Sequence, residues 1–411
     1  MKIKIMCFIT MLLVAAMLAG NNFAANTAAI KSTVTRQSIE KIQANKSLTD
    51  IDKVKQIVGA VLTAKIQVEN HFTNFDFAFV QNNPDHTNYS LNFFNRKVKL
   101  FKEAKKHHNN YKIDVDIHYS FYEVQVFDDK ASLKVTQTYK FQYVGDSQPS
   151  SMETAFDIRL VKKERKWLID DIRSNEIFER VYYKTDFDYS AKLEEMTAPE
   201  KTLTQEEEDM LTTDREMMLK ELSLLPIIEY DTGAAVSYAY RYYSNYNVPA
   251  FPDFNDSGGD CQNFASQCVS AGFGDRMQMD GNGSWFCIRD AQGFYLFDPG
   301  WRWTFSLAFN DYINTSTTAQ PGLFGYVPPN HSLLYTKVGD VIHGPGETGE
   351  YQHAVFVTGT TGIDGQQTMD TIKVTGHSPN MIDTKLSDVF YYGAACKDCQ
   401  IVGWVKEDAS Q

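Results

Sequence analysis

The stretch Gly258-Gly259-Asp260-Cys261-Gln262-Asn263-Phe264-Ala265-Ser266-Gln267-Cys268 decides how the C-terminal half of the chain is read. Two glycines free the backbone for a tight turn. Asp260 is a good N-cap and predicts a helix with Cys261 as its first residue. Phe264, Ala265, Cys268 and Val269 recur at helical spacing, so one face packs inward. Cys261 lies on the stripe of Ala265 and Cys268, where the helix meets its sheet. Unpaired N–H groups and the positive end of the helix dipole favour a thiolate there, and the same groups can hold an oxyanion. A buried structural cysteine has the same local pattern, because a free thiol packs as a small hydrophobe. A candidate base separates the two readings.

That base lies downstream. Tyr351-Gln352-His353-Ala354-Val355-Phe356-Val357-Thr358-Gly359 reads as a buried strand opening on a histidine. Val338 to Ile342 is a short strand before it. The strand from Thr371 to Thr375 follows and ends in Gly376-His377-Ser378-Pro379-Asn380. A cysteine helix, a histidine strand and a polar group at the end of the next strand is the chain order of papain-like hydrolases. Cys261 is then the nucleophile and His353 the base. His377 is the first choice to orient the imidazole, with Asn380 and Asp340 as alternatives. Asp260 caps the helix, and the Cys261 N–H contributes to an oxyanion hole.

The blocks YDTGAAVSYAYRY from Tyr230, NVPAF from Asn247, GGDCQNFASQC, VGDVI from Val338, QHAVFVT from Gln352 and VTGHSPN from Val374 carry a resemblance. The region from Tyr230 to Val405 resembles the amidase domain of secreted Gram-positive bacterial proteins. That family is similar to NlpC-type and CHAP cysteine peptidases and amidases. The resemblance implies a papain-like fold, Cys261 as nucleophile and His353 as base. It names a chemistry rather than a substrate. One departure is visible: Trp285 is followed by Phe286 and Cys287 instead of an aromatic pair.

At 411 residues, 43% of them hydrophobic, the chain is long enough for two or three packed domains. The net charge of −12 and the lack of a basic block argue against nucleic acid and against electrostatic docking on anionic polymers or lipids. Residues 1–25 read as a signal peptide: Lys2 and Lys4, an apolar run from Ile5 to Leu18, and Ala24-Ala25 for cleavage. The expected mature protein is exported or cell-wall associated, with no later stretch that spans a membrane. Cys396-Lys397-Asp398-Cys399 predicts a local disulfide after export. A zinc site needs two more ligands, and no second C-x-x-C or H-x-x-x-H is present, so no metal and no cofactor are expected.

The fold class expected is α+β, with a smaller α+β domain before the papain-like one. Residues 26–48 form a polar lead-in. Within 49–184, a helix starting at Thr49-Asp50 keeps Val54, Ile57, Val58, Val61 and Leu62 inward, and a second helix covers Ser90 to His107. Alternation predicts strands at Lys112–Phe127, Ala131–Val144, Met152–Lys162 and Lys166–Ile172. The outline is similar to cone-shaped nuclear-transport-factor-2-like domains, with Tyr119, Phe121, Tyr139, Phe141 and Tyr143 as core. Residues 185–226 are a charged linker whose helix starts at the capping box Thr204-Gln205-Glu206-Glu207. Residues 227–411 form the amidase-like domain, with a loop at Asn314–Asn330, and are expected to fold alone from near Ser223. The expected activity is cysteine-dependent hydrolysis of amide bonds in peptidoglycan stem peptides or other peptides. A silent binding module on the same scaffold is the alternative; a degenerate copy would lose Cys261 or His353, and both are present.

Overall fold

The computed structural model describes residues 34–71, 112–174, 204–222, 227–255, 259–274, 285–316, 321–328, 332–345, 351–390 and 396–406. The expected signal segment, the helix at 90–107 and residues 185–203 of the expected linker lie outside the described residues. Helices and a large antiparallel sheet make the fold α+β.

Helix α1 (Arg36–Ala44) starts at a capping box between Thr35 and Ser38. It is followed by α2 (Asp50–His71). Strands β1 (Lys112–Phe127), β2 (Lys130–Tyr143), β3 (Ser150–Lys163) and β4 (Lys166–Ser174) form an antiparallel meander. Burial alternates along β2 and β3, as period-two patterning requires. Val54, Ile57, Val58 and Val61 of α2 pack on Leu133, Val135, Phe156, Ile158 and Trp167. Asp50 fixes the start of α2 by accepting from the Trp167 indole (3.2 Å) and the Lys162 ammonium (2.7 Å). Tyr139, Phe141 and Tyr143 are buried as core, and Tyr119 and Phe121 pack partly buried beside the neighbouring cluster.

Helix α3 (Gln205–Leu222) begins with the expected box: the Glu207 amide donates to Thr204 Oγ1 and the Thr204 amide to Glu207 Oε2. Then come β5 (Ile227–Glu229), α4 (Thr232–Tyr242) and the cysteine helix α5 (Cys261–Gly272). Strands β6 (Cys287–Arg289) and β7 (Tyr295–Phe297) make a separate hairpin, followed by α6 (Ser306–Thr315). Strand β8 (Gly322–Tyr326) occupies part of the expected loop at 314–330, because Gly325 lies tight against the Gln400 backbone and allows close strand approach. The chain continues through β9 (Val341–Pro345), β10 (Tyr351–Thr360), β11 (Ile372–Gly376), β12 (Asn380–Lys385), α7 (Leu386–Val389) and β13 (Lys397–Val405).

Among the described residues the main sheet has 11 strands in the order β1-β2-β3-β12-β11-β10-β9-β13-β5, with β4 also on β3 and β8 on β13. The long strand β3 joins the two halves. Its first residues pair with β12 (Ser151 with Ile382, Glu153 with Asn380), and its remainder pairs with β4. The chain on either side of the expected linker therefore contributes to one continuous sheet. Among the described residues no helix is long and apolar enough to cross a membrane.

The C-terminal part of the sheet has two covered faces. Val341, Ala354, Phe356, Cys399 and Ile401 pack against α5 and α6. Ile342, Val355, Val357, Val374 and Cys396 face a second cluster with Phe390. Cys396 and Cys399 thus sit in different clusters, on opposite faces of the sheet. An odd spacing within extended chain sends side chains to opposite sides, so the expected disulfide does not form, and both cysteines are buried outside any disulfide.

Candidate active site

Gly259 adopts φ +120°, a conformation that favours glycine, and brings the chain into α5 beside Ser378. The Asp260 amide donates to Ser378 Oγ (2.9 Å), and the first helical bond runs from the Phe264 amide to the Asp260 carbonyl (2.9 Å). Asp260 is the N-cap residue, yet its side chain makes no cap bond. Its Oδ1 accepts from the Phe254 amide (3.1 Å) and Asn263 Nδ2 (2.8 Å), and its Oδ2 pairs with His377 Nδ1 (2.6 Å). The expected capping carboxylate is instead the partner of a histidine far away in sequence.

The polar residues of the first two turns are buried, and each is hydrogen-bonded. Trp303 Nε1 donates to Asn263 Oδ1 (2.9 Å), and Ser266 Oγ donates to the Trp303 carbonyl (2.8 Å). Gln262 Nε2 donates to Ser266 Oγ (3.1 Å), and the Tyr238 hydroxyl donates to Gln267 Oε1 (2.7 Å). Such a network satisfies the buried polar groups and fixes the helix on the sheet.

Cys261 is 6% exposed at the start of α5. Burial pushes its thiol above the ordinary value, with the Asp260 charge adding to the rise. The amides of Ala354 and Gln262 and the Ser306 hydroxyl pull the other way. The expected thiolate is therefore not the resting form: desolvation outweighs the helix start. Contact with Ala354 places the sulfur over the α5-facing side of β10.

His353 is the residue before Ala354 and is 1% exposed. Its ring meets Phe390 edge-on, with centroids 5.6 Å apart and planes at 71°. It shares the side of the strand that carries Val355 and Val357, away from Ala354. Neither ring nitrogen has a hydrogen-bond partner, so the expected bond to Cys261 is not made. Burial holds its pKa down at about 4, leaving the imidazole neutral.

A histidine given no role in the sequence-based assignment faces the cysteine helix. His343 lies opposite Ala354 on β9. Its Nε2 donates to Gln262 Oε1 (2.7 Å), which leaves Nδ1 to accept from the Cys399 thiol (3.4 Å). Asn310 Nδ2 also donates to Cys399 Sγ (3.2 Å). Burial, then the nearby His353, holds His343 down at about 3, and burial pushes Cys399 well up. This is a neutral thiol–imidazole pair. Strand parity is the signal that could have found it: Val341 and His343 share a face.

The expected orienting groups are engaged elsewhere. His377 Nδ1 donates to Asp260 and Nε2 to the Tyr242 carbonyl (3.0 Å), while its ring is stacked between Tyr246 (3.9 Å) and Phe264 (4.0 Å). With both nitrogens used, it cannot orient His353; it locks β11 to the start of α5. Asn380 accepts from the Tyr246 hydroxyl (2.6 Å) and donates to Glu153 (3.1 Å). Asp340 accepts from the amides of Ile401 (3.1 Å) and Lys337 (2.8 Å). Among the described residues no group of three or more His, Cys, Asp or Glu could hold a metal ion.

No curated protein and no solved structure matches the chain. The comparison with protein families gives a match over the segment that holds the cysteine helix and the histidine strand: residues 229–401 match the model of the family described as "Putative amidase domain".

Proposed function

We propose that residues 229–401 form a thiol hydrolase of amide bonds, with Cys261 as nucleophile and His353 as proton carrier. One observation supports it above all. The Cys261 sulfur lies at the open end of α5 against the main chain of Ala354, and the adjoining residue is a buried histidine with both nitrogens unpartnered. A buried imidazole without partners is costly and calls for an explanation in chemistry. In this reading substrate binding shifts the opening residues of β10, because the His353 ring now lies on the Phe390 side of the sheet, opposite the thiol. His353, neutral at rest, takes the thiol proton as sulfur bonds to the carbonyl carbon. The oxyanion is met by first-turn N–H groups of α5, which no side chain caps. The imidazolium then gives its proton to the departing amine as the C–N bond breaks. Water attacks the thioester with His353 as base, releasing the acid and restoring the thiol. His377 and Asp260 act as positioning residues. The expected substrates are peptides, peptidoglycan stem peptides among them, met outside the cell if residues 1–25 direct export.

The test is mass spectrometry of stem-peptide fragments incubated with the full chain. Products that have gained one water should form with wild type and vanish in Cys261→Ala and in His353→Ala. Equal cleavage by Cys261→Ala overturns the reading. A second reading, a binding module on the same scaffold, is favoured by the lack of a Cys261–His353 bond; it predicts retention of such peptides with no water gained by any variant.

A further inference from the structure

The inward stripe of α6 is Ser306, Phe309, Asn310 and Ile313, all buried. Their spacing puts them on one face of the helix. Phe309 and Ile313 join the cluster that holds Cys261, and Asn310 bonds Cys399, so packing accounts for those three. Ser306 is different. It opens the stripe with a hydroxyl, and burying a hydroxyl is costly unless it is bonded. It is 3% exposed, and the partner of its hydroxyl is the Cys261 sulfur.

The chain before α6 fixes that contact. The buried carboxylate of Asp298 accepts from the amides of Gly300 (3.1 Å), Arg302 (2.9 Å) and Trp303 (3.0 Å). Trp301 takes φ +57° inside this turn, a conformation costly for a bulky side chain. The Phe305 amide donates to the Trp301 carbonyl (2.9 Å) and the Phe309 amide to the Phe305 carbonyl (3.0 Å), which starts α6. Trp303, within the turn, is tied to α5 through Asn263 (2.9 Å) and Ser266 (2.8 Å). The first residue of α6 is thus docked against the first turn of α5. Neither helix start carries a side-chain cap, so two helix starts meet at one sulfur, and both dipoles favour negative charge there.

We propose that Ser306 is a further catalytic residue of this site: when His353 takes the thiol proton, the serine O–H donates to the sulfur and holds the thiolate for attack. The serine keeps its own proton throughout, so the transfer needs no other acid or base. The assignment rests on the thiol-hydrolase reading for its purpose, and its test is made without turnover. Iodoacetamide alkylation of the full chain is followed against pH, with the Cys261 peptide quantified by mass spectrometry. Ser306→Ala should move the midpoint of the Cys261 rate up by about one pH unit, a roughly tenfold loss of thiolate, in keeping with a lost hydrogen bond to a charged group. Ser306→Thr keeps the hydroxyl and should keep the wild-type midpoint. Ser316→Ala, at the other end of α6, removes the hydroxyl that bonds the Ile313 carbonyl (2.8 Å) and should leave the midpoint in place. If Ser306→Ala does not melt cooperatively, Ser306→Cys replaces it, with a smaller rise in the same direction because a thiol donates weakly. An unchanged midpoint in the variant lacking the hydroxyl, an equal rise in Ser306→Thr, or an equal rise in Ser316→Ala overturns the assignment. Absence of cleavage by wild type would count against the hydrolase reading and leave these midpoints as they are.

Discussion

Lys112 and Asp388 offer the sharpest test of the continuous sheet. Lys112 opens β1, and Asp388 lies in α7, after β12. Their charged ends are 3.1 Å apart, with side chains 6% and 3% exposed. The Tyr143 hydroxyl donates to the same carboxylate and accepts from the Lys385 amide (3.0 Å). The Lys112 ammonium also lies over Phe141 (4.5 Å) and Tyr139 (5.1 Å). Burial pulls the Lys112 pKa down, but Asp388 and the Tyr139 hydroxyl together more than offset that and raise it overall. Lys112→Met keeps the stem and removes the charge, leaving a carboxylate buried without its counter-ion. The expected loss is about 3–5 kcal/mol, the usual cost of breaking a buried pair. Asp388→Leu should cost less, about 2–3 kcal/mol, because the aromatic rings still hold the ammonium. The double substitution should come within about 1–2 kcal/mol of wild type, since an apolar replacement of both partners is often neutral. Urea unfolding gives the three values, provided the slope stays constant. Single losses below about 1 kcal/mol that simply add would mean the two groups are not coupled, and the reasoning fails.

Four further outcomes follow from the same structure. A chain starting at Ser223 should be poorly folded or insoluble, because β12 loses its β3 partner and Asp388 loses both Lys112 and Tyr143; a cooperative urea transition equal to that of the full chain would contradict this. Thiol titration after denaturation of aerobically purified protein should find all cysteines free, and a deficit of two per chain would indicate a Cys396–Cys399 bridge. Gly272→Ala should lower the melting temperature markedly, because its methyl would meet the Tyr230 ring at 2.2 Å; an unchanged melt would refute the packing. His343 and His353 have folded pKa values near 3 and 4, depressed from about 6.5 in the unfolded chain. Their contribution is present above about 6.5 and is lost as pH falls through those values. The urea midpoint of His353→Gln should therefore change less between pH 7 and pH 4.5 than that of wild type.

Elements with local periodicity were legible in the sequence. The four strands of the first meander lie within two residues of where alternation places them, and the Thr204 box starts its helix. Facing was less legible. Placing His353 on a strand does not say which side its ring takes, and a shift of one residue exchanges His353 for Ala354. The C-x-x-C spacing failed for the same reason, since it suggests proximity only when the chain turns. Asp260 had the right local position for a cap, but His377 competes for its carboxylate across the fold. The β3–β12 pairing joins strands more than two hundred residues apart, and nothing in either strand's pattern names its partner.

These differences bear on how the motif around Cys261 should be understood. Asp260, Gln262, Asn263, Ser266 and Gln267 are all buried, and each bonds to another residue. They reach His377, His343, Trp303 and Tyr238, so the block specifies where α5 docks as much as what it does. Replacing any of them leaves a buried polar group unmatched, at about 1–3 kcal/mol each. Loss of activity in such variants would therefore follow from either misplacement or lost chemistry. Cys261 and His353 differ from them. The cysteine meets main-chain amides and a hydroxyl, and the histidine nitrogens meet nothing polar. Conservative changes at these two positions disturb little of the docking network. Cys261→Ser and His353→Gln are thus the substitutions in which lost turnover with an unchanged melting curve speaks for chemistry.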